Sequence, residues 1–300
     1  MPDNTGADDL QTSGGSPEEV TAADIAQQIR RAAADLLERG EVNVVLGYCA
    51  SWHPEVVTPC FLTSTDQVDR LIFNEHCTHN LARYLVGPDG WLTAPYRIAN
   101  GKPRLAVVAI PGTLRAIAGL IQEHQFERTD VVILGIVDGT PAGVEPDTRV
   151  GSIPEDTERA ERMQRQLADL EAMTAEERSS WWEAHFTRCV RCYACRQVCP
   201  FCYCDQCIAD ENQPQWIDRS SSPANNRMWI TIRAFHLIGR CVDCGECDRA
   251  CPAEIPLGLL NYKMRLDLEE TFGYVAGMDV DATPVLFDLG AAVPNRLVRR

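Results

Sequence analysis

From Ala22 to Gly40 apolar residues recur at helical spacing, with Thr21 placed to cap the start and Gly40 to stop the run. A helix is expected there. Further on the pattern changes: Val42 to Leu46 is β-branched and apolar, Leu71 to Phe73 is a short apolar run, and His79 to Leu85 returns to helical spacing. The clearest unit is Arg104 to Ile110 as a buried strand, Pro111-Gly112 as a turn, Leu114 to His124 as a helix, and Asp130 to Val137 as a second buried strand. Strand, helix and strand in alternation predict a small α/β domain with a parallel layer over residues 21–150.

Asp138 to Glu155 holds three Pro and three Gly and reads as a loop or linker. Asp156 to Met173 is heavily charged with a sparse apolar stripe, as expected of a surface helix, so 151–179 is taken as linker plus helix. A cysteine-rich segment follows over 180–263, and 264–300 reads as an extended tail. Residues 1–20 are acidic and rich in Gly, Ser, Asp and Thr, the composition of a disordered lead-in. The fold class expected is an α/β N-terminal domain plus a mostly α-helical cysteine-rich domain.

Charge and composition narrow the function. The chain of 300 residues has a formal net charge of −15, which opposes binding to phosphate backbones, so nucleic acid is not an expected partner. The Arg-rich end, Arg296 to Arg300, is read as a short solvated tail. No run approaches the roughly 18 apolar residues of a membrane span, and the start lacks the basic and apolar stretches of a secretory signal. Both point to the cytoplasm. Thiols stay reduced there, so fourteen cysteines suggest metal or redox use rather than a disulfide framework.

Their spacing supplies the chemistry. Cys189-Val-Arg-Cys192-Tyr-Ala-Cys195-Arg-Gln-Val-Cys199-Pro200 has the C-x2-C-x2-C-x3-C-P form that binds a [4Fe-4S] cluster, and Cys241-Val-Asp-Cys244-Gly-Glu-Cys247-Asp-Arg-Ala-Cys251-Pro252 repeats it. Thiolates at every third residue of a tight loop can wrap three corners of a cubane. The fourth cysteine is displaced onto the next segment and serves the other cluster. Cluster one is therefore assigned to Cys189, Cys192, Cys195 and Cys251, and cluster two to Cys241, Cys244, Cys247 and Cys199. Zinc sites would call for paired rather than tripled cysteines. Arg188, Arg191, Arg196 and Arg240 flank the ligands, either to raise cluster potentials or to form a docking rim.

Six cysteines remain. Cys202, Cys204 and Cys207 follow the first motif, and read either as a third metal site or as auxiliary thiols; Asp205, Asp210 or a distant cysteine would complete the site. Cys49, Cys60 and Cys77, with His76 and His79 beside the last, are read either as ligands at the sheet's edge or as small core residues; Cys60 and Cys77 are kept as candidate ligands. Ile110-Pro111-Gly112-Thr113 leads a strand into a helix, simplest as a plain turn with Thr113 as N-cap, alternatively as an anion site. No G-x-G-x-x-G is present.

Met228 to Gly239 is expected to form a helix feeding into the second motif, through Trp229, Ile230, Ile232, Phe235, Leu237 and Ile238. With that helix, residues 185–263 resemble the helical dicluster ferredoxins found in the iron–sulfur subunits of succinate dehydrogenase and of heterodisulfide reductase. On Thr58-Pro59-Cys60-Phe61, Arg104 to Gly135, and Arg191 to Pro200, the whole chain resembles iron–sulfur proteins related to the beta subunits of coenzyme F-420-dependent hydrogenase and formate dehydrogenase. The resemblance implies a subunit that relays single electrons through two [4Fe-4S] clusters in a hetero-oligomer with catalytic oxidoreductase subunits and other redox proteins. Where those relatives have a Gly-Cys-Asp-like turn after the strand at 104–110, this chain has Ile110-Pro111-Gly112-Thr113. A second reading is a reductase in its own right, with flavin or deazaflavin in the α/β domain, and a third is a redox sensor.

Overall fold

The structure is a computed structural model that describes residues 21–285, apart from Pro54, Asn100, Thr140, Pro141, Glu155, Asn212 and the Tyr96 side chain. The lead-in at 1–20 and the Arg-rich end lie outside the described residues.

Helix α1 (Ala22–Glu38) opens on a capping box: the Thr21 hydroxyl accepts from the Asp24 N–H, and the Asp24 carboxylate accepts from the Thr21 N–H. Its buried stripe, Ile25, Ile29, Ala33 and Leu36, packs on a five-stranded sheet of order β2-β1-β3-β4-β5. Strands β1 (Val44–Ala50), β3 (Leu105–Ala109), β4 (Val131–Val137) and β5 (Thr148–Ser152) are parallel, and β2 (Val57–Leu62) runs antiparallel along β1. Short helix α2 (Pro95–Ala99) precedes β3, and α3 (Pro111–Gln122) crosses from β3 to β4. Strand β3 is buried along its whole length, as expected for the middle of a covered parallel sheet.

Three local expectations are corrected. Helix α3 begins at Pro111 with Ile110 as N-cap, so Thr113 lies inside its first turn; Pro suits N1 because its missing N–H has no partner to lose. The stretch taken as linker contains strand β5, where Gly151 adopts φ +153° and an added Cβ would come within 2.6 Å of Ile25. The helical stretch expected over His79 to Leu85 narrows to a 3-10 helix, Leu81–Tyr84.

The second half is helical. Helix α4 (Thr157–Glu171) buries Met163, Leu167 and Leu170 against Leu259 and Tyr262, and α5 (Ala175–Thr187) has its own capping box from Thr174 to Glu177. One-turn helices α6 (Ala194–Gln197) and α8 (Glu246–Arg249) flank α7 (Pro223–His236), which starts five residues before the expected Met228. Ser222 caps α7 and Pro223 fills its first turn. Helix α9 (Leu257–Phe272) crosses residue 263, so the segment after it is not simply extended tail.

One core runs through both halves. Cys199, Phe201, Leu237, Val242 and Ala276 belong to the same buried cluster as the sheet, whereas Phe186, Cys195, Trp229, Ile230, Ile255 and Leu257 form a separate one. The second cysteine loop thus sits against the α/β layer and the first lies on the helical side. Among the described residues no helix is long and apolar enough to cross a membrane.

Candidate metal centre

The two cysteine loops share one backbone conformation. Arg191 and Tyr193 take φ of 57° and 61°, and the matching Asp243 and Gly245 take 54° and 74°. Three of these four are not glycine, and left-handed backbone at such residues is uncommon and concentrates at functional sites. The bend turns amide groups onto sulfur: the Arg191 N–H donates to Cys189 Sγ at 3.4 Å, and the N–H groups of Asp243 and Glu246 donate to the thiols of Cys241 and Cys244. In each copy the third cysteine, Cys195 or Cys247, rides on a one-turn helix, and the fourth follows that helix's cap. Helices α6 and α8 pack together.

That packing exchanges the fourth cysteines. Cys251 lies within electrostatic reach of Cys189 and Cys195, and Cys189 of Cys192, while Cys199 lies within reach of Cys244. Cys199, Cys241, Cys244 and Cys247 line one small cavity of about 20 Å³. The residues suit an inorganic core with its own negative charge, because the loops present amide N–H groups inward and leave soft donors facing an enclosed space. Burial pushes Cys195 up to about 11 and Cys241 up to about 12. At neutral pH these free thiols hold their protons, which a metal bound there would have to displace.

Arg233 was not among the residues singled out by spacing. It lies on the buried stripe of α7 one turn after Trp229, a cation among apolar positions, and that placement is the signal that could have found it. Its Nη2 donates to the Cys195 carbonyl at 2.8 Å, and its Nε is buried without a partner. The thiols of Cys202, Cys199, Cys195 and Cys247 all favour its charged form, although burial alone opposes it. The four flanking arginines separate by role: Arg240 pairs with Glu123, Arg196 with Asp210, Arg191 is buried beside Tyr193 and Trp229, and Arg188 donates to the Glu254 carbonyl at the surface.

The six remaining cysteines divide. Cys49 and Cys60 form a disulfide between β1 and β2, so Cys60 is not a free ligand, and the other cysteines are free. Cys77 is buried and is the free thiol of the three; its Sγ accepts from the Asn74 N–H, and burial pushes it up to about 11. Of its neighbours, His79 pairs with Glu246 at 2.7 Å and His76 with Glu75, so the residues expected at the sheet's edge do not assemble a donor set. Cys202, Cys204 and Cys207 line a second cavity together with His236. Among the described residues no three Cys, His, Asp or Glu side chains converge where a single ion would sit.

A cleft of about 820 Å³ opens at the carboxyl ends of β3, β4 and β5, lined by Ile110, Gly112, Asp138 and Ser152. Open α/β sheets bind ligands at this edge. Its far wall is the second cysteine loop, with Cys244 and Arg249.

Residues 188–256 match the family model of the 4Fe-4S dicluster domain. Over 108 residues, 36% of this chain, the sequence is 34% identical to the F420-dependent formate dehydrogenase subunit beta of Methanocaldococcus jannaschii. Over 115 residues it is 34% identical to the F420-dependent formate dehydrogenase 1 subunit beta of Methanococcus maripaludis. Each match spans 28% of the relative's own length.

Proposed function

We propose that this chain, whose residues 188–256 match a 4Fe-4S dicluster domain, is an electron-transfer subunit of a larger oxidoreductase of the hydrogenase, formate dehydrogenase or heterodisulfide-reductase-like kind. The observation that carries the reading is the crosswise grouping of thiols, Cys251 with the first triplet and Cys199 with the second. Bound there, two [4Fe-4S] clusters each exchange one electron.

The chain's own residues hold the two sites close and give the pair a direction. α6 and α8 bring the loops together, Arg233 places one positive charge among the thiols of both, and the shared core seats the second site on the α/β layer. The similarity to formate dehydrogenase beta subunits supports catalytic subunits as partners, with the chain as one member of a hetero-oligomer.

The test is an anaerobic redox titration of the purified chain followed by EPR. Two magnetically interacting four-iron centres are expected; a single isolated centre, or a protein holding zinc alone, overturns the reading.

The cleft favours a second reading, in which a flavin or deazaflavin occupies the sheet's edge beside Cys244 and the chain is a reductase itself. Acid extraction decides between them: released flavin supports the reductase, and a colourless extract the relay.

A further inference from the structure

We propose that Cys202, Cys204, Cys207 and His236 form the site of a third four-iron, four-sulfide cluster, beside the two sites of the dicluster domain. The inference rests on the cluster-binding reading of that domain, and it starts from space. The cavity these side chains line measures about 50 Å³, against about 20 Å³ for the one surrounded by Cys199, Cys241, Cys244 and Cys247. Whatever inorganic core the smaller cavity accepts, the larger has room for.

The donor set fits a polynuclear core. Three thiols and an imidazole are soft and borderline donors, and histidine replaces cysteine in some iron–sulfur centres. These groups ring a cavity rather than meeting at a point, as Cys199, Cys241, Cys244 and Cys247 also do, and among the described residues no group is arranged for a single ion. Asp210 does not supply the fourth ligand: its carboxylate takes the Trp229 indole N–H and faces Arg191 and Arg196. Asp205 does not line the cavity, whereas His236, at the end of α7, does.

A second sign of a bound anion is Arg233. It lines both cavities, is more than nine-tenths buried, and has an Nε with no partner. Arg196 and Arg240 line the same space, whose other walls include the apolar Phe201, Ala209, Trp229 and Leu237. Arg196 and Arg240 are matched by Asp210 and Glu123, but among the described residues no carboxylate pairs with Arg233, and a thiolate-bound cluster supplies the negative charge that balances it. Cys202 is hydrogen-bonded to Cys199, and Cys204 is exposed, so the site runs from a ligand of the second cluster to the protein surface.

The experiment is native mass spectrometry with iron and sulfide analysis on the anaerobically reconstituted full-length chain. Three clusters and about twelve irons are expected, falling to two clusters and about eight in the Cys204→Ser/Cys207→Ser double variant. About eight irons in the parent chain, unchanged in the double variant, overturn the third site and leave the two-cluster reading standing; a parent chain with none overturns both. His236→Cys is expected to keep the third cluster and His236→Ala to lose it. Retention of three clusters in His236→Ala overturns the ligand set.

Discussion

Arg240 reaches from the end of α7 to Glu123 at the end of α3, its Nη2 donating to Glu123 Oε2 at 2.7 Å, and the Tyr203 hydroxyl donates to the same oxygen at 2.7 Å. The Glu123 side chain is only 4% exposed. One buried carboxylate thus joins the α/β layer to both the segment after the first loop and the segment before the second. Removing it leaves Arg240 and Tyr203 partly buried without their acceptor. Glu123→Ala is expected to cost about 3 kcal/mol, read by anaerobic urea unfolding followed by circular dichroism and cluster absorbance. A loss under about 1 kcal/mol would show that apolar contact at Phe201 and Leu237 alone holds the seam.

Crossed ligation makes a pairing prediction that a simple count of irons does not. Cys251→Ser is expected to remove the same EPR signal as Cys189→Ser, and Cys199→Ser the same one as Cys241→Ser. If Cys251→Ser and Cys247→Ser instead share a phenotype while Cys189→Ser differs, each loop holds its own cluster. That result would contradict the placement of Cys251 beside Cys189 and Cys195.

The parts legible in the sequence are those in which one physical demand dominates. Burial of all of Leu105 to Ala109 and most of Val131 to Val137 makes them read as continuous apolar runs, and the central strands are legible from that alone. Strands β2 and β5 escaped because both are edges: Pro59 is tolerated where no ladder partner waits, and Thr148-Arg149 faces solvent. Cysteine spacing gave the two loops because ligand geometry leaves little freedom. It could not give Arg233, whose role depends on α7 lying between both loops, nor the Cys49–Cys60 bond, which follows from the pairing of β1 with an unforeseen β2.

Arg233 is expected to set potentials rather than to hold the fold. A positive charge near a cluster favours the reduced, more negative state, so Arg233→Gln lowers the midpoint potentials. A unit charge several ångströms away at an effective dielectric of about 20 contributes about 2–3 kcal/mol, on the order of 100 mV for one electron. Arg233→Lys keeps the charge and is expected to retain most of the potential. Equal shifts in the Gln and Lys variants would mean that the hydrogen bond to the Cys195 carbonyl matters and the charge does not.

Gly112 marks where the sheet's edge and the second cysteine loop meet. A Cβ built on it would stand 3.4 Å from Cys244 Cβ, ordinary contact for a methyl group but no room for a branched side chain. Gly112→Ala is therefore expected to leave both clusters intact, while Gly112→Val pushes the loop at Cys244 and alters only the second cluster's EPR signal. The first loop belongs to a separate buried cluster around Trp229 and Ile255, so its signal is expected to be unchanged. Val at this position also narrows the cleft, which makes it a test of the two functional readings: a relay loses potential match at one centre, whereas a flavin-bearing reductase loses bound flavin as well. Equal disturbance of both signals in Gly112→Val would show that the loops respond as one unit, and the polarity assigned to them, second cluster toward the sheet and first toward the helices, would have to be abandoned.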